Sequence, residues 1–460
     1  MRRLVVLLAA LACNDHPNQL IVTFDTDAPL PAADGVDPLD GPTPLFDRLR
    51  VDVLQPDGTV CSGCTNDFAV TRDMFVASEV SIGVPLPSES GWTLRARLYL
   101  ARFAQDGEPP PDATIDATVA LPDAADNPGT AGVFLSTDAV GVPEEGPLGS
   151  VASSSAVGTW SGAARVGCDE SGLPRPPSTA CVAGGAYWMG TQDGQTVSGR
   201  SGSWHRLAVL SPHYIDVAEV TVGALRSHGK QATGVNFADD QALAYCTFTV
   251  APGAYEGLPV NCINSTAARS YCKALGGDLP TSAQFERLAT RLGRAPYVWG
   301  LDQPMCSDAV FNDCSTQGCY SGSPPADPCF TTPSPSPITN DKGVKLGGPV
   351  PPPACTPDAT CPLRDAITIG DAVVVDLAGN VAELTADRAF AEDDACLSGD
   401  GSNVLVDPSC PIINSEQIRG GTFSVDTFST LRGDALVNTS SSGVGPDVGF
   451  RCAYPATPAN

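Results

Sequence analysis

The chain has 460 residues, with 52 acidic against 26 basic side chains and a net charge of −26. A surface this negative repels nucleic acid and other polyanions, which excludes them as partners. Its 42 prolines and 46 glycines argue against helical bundles and for short strands joined by long loops. Seventeen cysteines point to an oxidising compartment and a set of disulfides.

The first residues read as an export signal. Arg2 and Arg3 form a basic start, and Leu4 to Ala12 is an apolar run too short to span a bilayer as a permanent helix. Leu11-Ala12-Cys13 resembles the lipobox of a bacterial lipoprotein, whose cysteine is acylated after cleavage. On that reading residues 1–12 are a signal peptide and 13–17 a lipidated N-terminus, so the chain meets a membrane only through the anchor at Cys13. The other reading is an ordinary secreted protein that keeps Cys13 as a spare thiol. Setting Cys13 aside leaves sixteen cysteines, an even number that suits complete pairing.

Residues 18–145 read as an all-β unit. Leu20–Phe24, Arg48–Leu54, Glu79–Val84, Trp92–Leu100 and Thr114–Leu121 alternate apolar with polar residues, as half-buried strands do, and Gly132–Leu135 continues the pattern. Pro, Gly and Asp clusters separate the runs, which predicts a small β-sandwich. Such modules bind sugars or serve as spacers. Cys61-Ser-Gly-Cys64 is expected in a turn of this unit. A redox dithiol needs a helix start in a βαβ setting, and a lone Cys-x-x-Cys is half a zinc site, so a local structural disulfide is the expectation. Residues 146–180, rich in Gly, Ser, Ala and Pro, read as a linker, with Cys168 and Cys181 placed to staple its end.

Three short helices follow. Thr221 caps one through Ser227, Ser265 one through Leu275, and Thr281-Ser-Ala-Gln284 is a capping box opening a helix to Leu292. Between Cys306 and Cys361 lies a Pro/Ser/Gly-rich insertion with six cysteines, expected to be held by disulfides rather than by a core. Sequence proximity suggests bridges Cys246–Cys262 and Cys396–Cys410.

Seven fragments across 181–455 then accumulate in a fixed order. They are Gly184-Gly-Ala-Tyr-Trp-Met-Gly190, Tyr214-Ile-Asp-Val-Ala-Glu-Val-Thr221, Pro259-Val-Asn-Cys262 with Ala267 to Cys272, Leu279-Pro-Thr-Ser-Ala-Gln-Phe-Glu286, Tyr297-Val-Trp-Gly300, Asp376-Leu-Ala-Gly-Asn-Val-Ala-Glu383, and Arg419-Gly-Gly421 with Gly449-Phe-Arg-Cys452. In this order they resemble the formylglycine-generating enzyme (sulfatase-modifying factor) family. The resemblance implies an irregular, disulfide-bonded α+β fold related to C-type lectins.

It also implies two sites. One is calcium, held by Asp376, Gly379, Val381 and Glu383 through two side chains and two main-chain carbonyls, a donor set that suits a hard cation. Without an ion, two carboxylates turned into one tight loop would repel each other and raise a pKa. A solvated pair of surface acids is the alternative. A second calcium site is implied near Asn312. The other is the catalytic centre, where the family holds Cu(I) between two thiolates that follow Arg-Gly-Gly. Here those positions carry Val425 and Thr430, and no cysteine lies between Cys410 and Cys452. Copper is therefore not expected. The histidine cluster of the related iron-dependent sulfoxide synthases is missing too, since His16, His205, His213 and His228 are scattered. The resemblance further implies a Cys272–Cys452 bridge, and internal salt bridges for Arg419, Arg432 and Arg451.

Three functions follow for test. The first is a non-catalytic surface lipoprotein whose lectin-like frame binds a protein, peptide or glycan. The second is an oxidase that generates formylglycine on a cysteine of sulfatase-type substrates, which Val425 and Thr430 oppose. The third is a glycan-binding adhesin acting through residues 18–145.

Overall fold

A computed structural model describes residues 19–87, 89–123, 129–150, 156–171, 173–192, 204–228, 246–305, 308–311, 364–388, 394–397, 403–411, 416–423, 428–439, 445 and 447–456. Cys13, Asn312, Val425, the signal segment and nearly all of the 306–361 insertion lie outside these residues.

The N-terminal region holds β1 (Gln19–Thr26), β2 (Arg48–Leu54), β3 (Val60–Ala69), α1 (Arg72–Val76), β4 (Ser81–Pro85), β5 (Thr93–Tyr99), β6 (Thr114–Ala120), β7 (Thr130–Leu135) and β8 (Glu144–Gly146). One sheet runs β4-β1-β7 and the other β3-β2-β5-β6-β8. Strand β1 buries every second residue from Leu20 on, and β2 starts the same way, so each sheet turns one face inward. Leu20, Val22 and Phe24 of the first sheet meet Leu49, Val51, Leu94, Leu98 and Ile115 of the second in one apolar cluster. A cleft of about 620 Å³ opens beside that core, with Phe24, Val119 and Phe134 on its walls and Asp25 and Glu145 at its polar side.

Strand β3 corrects one expectation. Cys61-Ser-Gly-Cys64 lies within this strand rather than in a turn. Thr65 pairs with Asp52 but Val60 pairs with Leu54, so the surplus residues bulge out of the ladder and the Cys61–Cys64 disulfide closes the bulge. The stretch is mostly exposed and polar, so it has no alternation to mark it as a strand.

The remaining elements are β9 (Thr179–Val182), β10 (Gly185–Gly190), β11 (His205–Leu210), β12 (His213–Asp216), α2 (Val222–Ser227), α3 (Ser265–Ala274), α4 (Ser282–Ala289), β13 (Ile367–Ile369), β14 (Ala372–Val374), β15 (Ala382–Arg388), β16 (Val404–Val406), β17 (Glu416–Arg419), β18 (Val437–Thr439), β19 (Val448–Gly449) and β20 (Ala453–Pro455). They form small sheets, β10-β11-β16, β20-β12-β9, β13-β14 and β18-β17-β15-β19. Thr221 caps α2, and Thr281 with Gln284 makes the capping box of α4. Helix α3 is capped by Asn264 rather than Ser265, because the Ser265 hydroxyl is turned to Glu416 instead. Helix α4 stops at Ala289, short of Leu292, because Arg291 and Leu292 adopt left-handed backbone angles of 53° and 60°.

The two regions share a core. Trp188 of β10 lies edge-on to Phe46 and Phe103, with ring centroids 5.7 and 5.8 Å away, and donates its indole N–H to the Leu45 carbonyl at 2.8 Å. Arg102 reaches across to the carbonyls of Gly293 and Arg294, and Arg294 to those of Asp37 and Pro38. Trp160 is also buried there and donates to Asp138.

Candidate functional site

Strand β17 ends in Arg419, whose guanidinium is buried between α4 and the chain after residue 432. It donates to Ser282 Oγ, to Glu286 Oε2 at 2.8 Å and to the carbonyls of Gly433 and Ala435, each at 3.1 Å. Gly420 and Gly421 follow with φ of 93° and 73°. A Cβ on Gly421 would come within 3.0 Å of the Thr430 carbonyl, so glycine is needed for the turn. The segment thus works as an anchor and a tight bend. Thr430 sits in a 3-10 turn spanning Phe428–Leu431, and its side chain carries no thiol. Every described cysteine is in a disulfide: Cys61–Cys64, Cys168–Cys181, Cys246–Cys262, Cys272–Cys452 and Cys396–Cys410.

The loop between β14 and β15 holds Asp376, Gly379 and Val381, and Glu383 follows at the start of β15; all four are buried. Asp376, Gly379 and Asn380 have φ of 55°, 84° and 56°, a left-handed conformation that Asp and Asn visit more readily than other non-glycine residues. The surroundings fix it. Gly379 N–H donates to Gly420 O and Asn380 N–H to Val310 O, both at 2.7 Å, while the Asn380 amide donates to Glu219 Oε2 at 2.6 Å. Phe423 N–H donates back to Asn380 O at 2.7 Å, so this loop and the Arg-Gly-Gly bend are one assembly.

Charge is concentrated here. Arg451 grips Glu383 with Nε and Nη2 and donates to the carbonyls of Asp216, Val375 and Asp376. Asp376 is 1% exposed and neither carboxylate oxygen has a hydrogen-bond partner. Burial pushes its pKa up to about 7, with Glu383 adding to the rise and Arg451 opposing it. Asp365 is equally buried and unpartnered, and its carbonyl accepts Leu377 N–H at 3.1 Å, which sets it beside Asp376. Burial and the Asp376 charge raise Asp365 and Glu219 well above the usual carboxylate range. Sequence reading missed both residues. Glu219 was visible within Ala-Glu-Val-Thr221, whereas no local signal marks Asp365.

An unpaired buried carboxylate is costly, so this donor set fits a hard cation. Asp376 offers free oxygens, and each Glu383 oxygen keeps a lone pair beyond the one given to Arg451. Among the described residues no three His, Cys, Asp or Glu side chains converge as a metal centre, so main-chain carbonyls would have to complete the shell. The histidines do not gather. His205, at the start of β11, lies tilted against Phe103 with ring centroids 4.0 Å apart, and His213 lies at the start of β12 with Nδ1 3.2 Å from Ser211 O.

Residues 168–327 match the family model of the sulfatase-modifying factor enzyme 1-like domain. The chain therefore carries a sulfatase-modifying factor enzyme 1-like domain. The match covers the opening motifs through α4, while the Asp376 loop and the Arg419 bend lie beyond it. Among solved structures, the chain is similar to PvdO from Pseudomonas aeruginosa (20% identity, 60% of this chain and 93% of that one, TM-score 0.37). It is also similar to Treponema denticola variable protein 1 (17% identity, 60% and 94%, TM-score 0.38) and to CarF (15% identity, 61% and 98%, TM-score 0.34). Comparison with curated proteins gives no match. Among the described residues no helix is long and apolar enough to cross a membrane.

Proposed function

We propose that the chain is an exported lipoprotein anchored through Cys13, in which residues 181–455 serve as a non-catalytic binding or structural module for a protein, peptide or glycan. Residues 18–145 form a β-sandwich in this reading, and 181–455 keep a C-type-lectin-related frame. One observation carries it: Val425 and Thr430 stand where the family places its copper-binding thiols. The buried bonds of Arg419 to Ser282 and Glu286 support it, because they give the Arg-Gly-Gly segment a structural task.

The test is oxygen consumption by the purified protein with Cu(I) and a cysteine-containing peptide. No uptake above the peptide blank is expected. Formation of formylglycine would establish the oxidase instead, and a hit on a glycan array would favour the adhesin.

Calcium belongs to the same proposal. Asp376, Gly379, Val381 and Glu383 would hold it, with Asp365 beside them, and the ion would neutralise carboxylates that the fold leaves buried. Metal analysis of the purified protein should find calcium and no copper. Terbium luminescence should be lost in Asp376→Asn and kept in a variant of an exposed acid such as Asp371→Asn.

A further inference from the structure

Arg287 presents the opposite charge problem. It lies on α4 with no exposed surface, and none of Nε, Nη1 or Nη2 has a hydrogen-bond partner. Arg419 and Arg451 are buried as deeply, but each grips a buried carboxylate. A desolvated guanidinium with neither counter-charge nor acceptor is strongly unfavourable.

Its neighbours are also basic. Arg165 has Nε and Nη1 buried and unpartnered, and only Nη2 reaches an acceptor, Leu39 O at 3.4 Å. A Cβ on Gly185 would lie 3.3 Å from Arg165 Cδ and 3.4 Å from Arg287 Nη2, so both arginine side chains border this one glycine. His213 is 2% exposed and its Nε2 has no partner. The nearest acids are committed or exposed: Asp407 accepts Ser211 N–H and Oγ–H, and Asp40 lies on the surface. Burial, then the Arg165 charge, lowers Arg287 to about 9, and burial with the Arg287 charge lowers His213 to about 4. The position is a basic cluster in search of an anion.

We propose that Arg165 and Arg287, with His213 beside them, form an anion site that takes a small oxyanion. The guanidinium fork matches two oxygens of a carboxylate, sulfate or phosphate, while chloride offers it no such pair. The site lies where β10, β12 and α4 meet the Leu39 loop of the N-terminal region, so its occupant would tie the two regions together.

The test uses the full chain, dialysed free of oxyanions. Calorimetric titration and thermal unfolding are read with sulfate, phosphate and acetate against chloride at constant ionic strength. At least one oxyanion should bind saturably, and whether the inorganic ions or acetate bind identifies the source. Because sulfate also stabilises proteins without binding them, the variants decide. Arg287→Met should weaken binding about tenfold or more. Should that variant fail to fold, Arg165→Met carries the same expectation. Binding no better than chloride, or an affinity unchanged in the folded variant, overturns the proposal.

Discussion

The two regions solve one problem differently: how to bury a backbone without stranding its polar groups. In the N-terminal region, β2, β5 and β6 pair along their whole length, the core between the sheets is mostly aliphatic and aromatic, and the buried Arg97–Asp52 pair joins two side chains rather than serving the backbone. In the C-terminal region the strands are short, and charged side chains stand in for missing ladder partners. Arg451 serves three carbonyls, and Arg419 serves two. Asp387 accepts the N–H groups of Ser282 and Cys410, and Asp216 accepts that of Cys452. Buried ions here are part of the backbone accounting, which is why an irregular chain can still form a dense interior.

The Cys272–Cys452 bridge should give the largest effect. It closes a separation of 180 residues, so replacing both cysteines by alanine should cost about 5 kcal/mol on the loop-entropy account. Denaturant unfolding measures it, and the loss should exceed that of each other described bridge. Next comes Arg419→Met, which takes the counter-charge from buried Glu286 and the donor from two buried carbonyls. About 3–5 kcal/mol should be lost. Arg95→Met in the N-terminal region is the control. Its guanidinium is 38% exposed and within reach of solvent, so although its partner Asp116 is buried the loss should stay well below that at Arg419. Equal losses at the two arginines would break the comparison.

The same contrast explains what the sequence made legible. Strands β1, β2, β5 and β6 announce themselves because apolar and polar residues alternate along them, although β6 is buried on nearly both faces, and the capping box of α4 is a local signal spanning four residues. Strand β3 has neither cue, since Cys61-Ser-Gly-Cys64 interrupts an already exposed stretch. At the candidate site, the Asp376 loop and the Arg419 bend stood out as short motifs. Their partners did not, because Asn380 meets Glu219 across 161 residues and Arg419 meets Glu286 across 133. Arg287 reads as an ordinary helix-surface residue until α4 is packed, when it proves to face inward.

His213 sharpens the comparison through pH. Burial lowers its folded pKa to about 4, from an ordinary value of 6.5. Between those values the unfolded chain binds a proton that the folded chain refuses. The contribution is therefore complete above pH 6.5 and shrinks as pH falls toward 4, by about 3 kcal/mol over the window. Asp216, raised to about 6 by burial, runs the other way, so the wild-type profile alone does not isolate the histidine. The readout is the difference between wild type and His213→Gln. The variant should lose less stability than the wild type between pH 6.5 and 4.5, and parallel profiles would place His213 outside the balance of buried charge.

Among the described bridges the smallest effect belongs to Cys61–Cys64. Its separation of three residues restricts the unfolded chain little, so replacing both cysteines by serine should cost about 2 kcal/mol at most. The bulge it closes is exposed at the edge of the five-stranded sheet, where a loosened turn strands no buried polar group. Hydrogen exchange should quicken from Val60 to Thr65 and stay unchanged at Leu49 and Val51 of β2, whose ladder with β5 is intact on the other side. A loss approaching that of Cys272–Cys452 would mean the N-terminal sheets also depend on covalent ties, and the contrast between the two regions would fail.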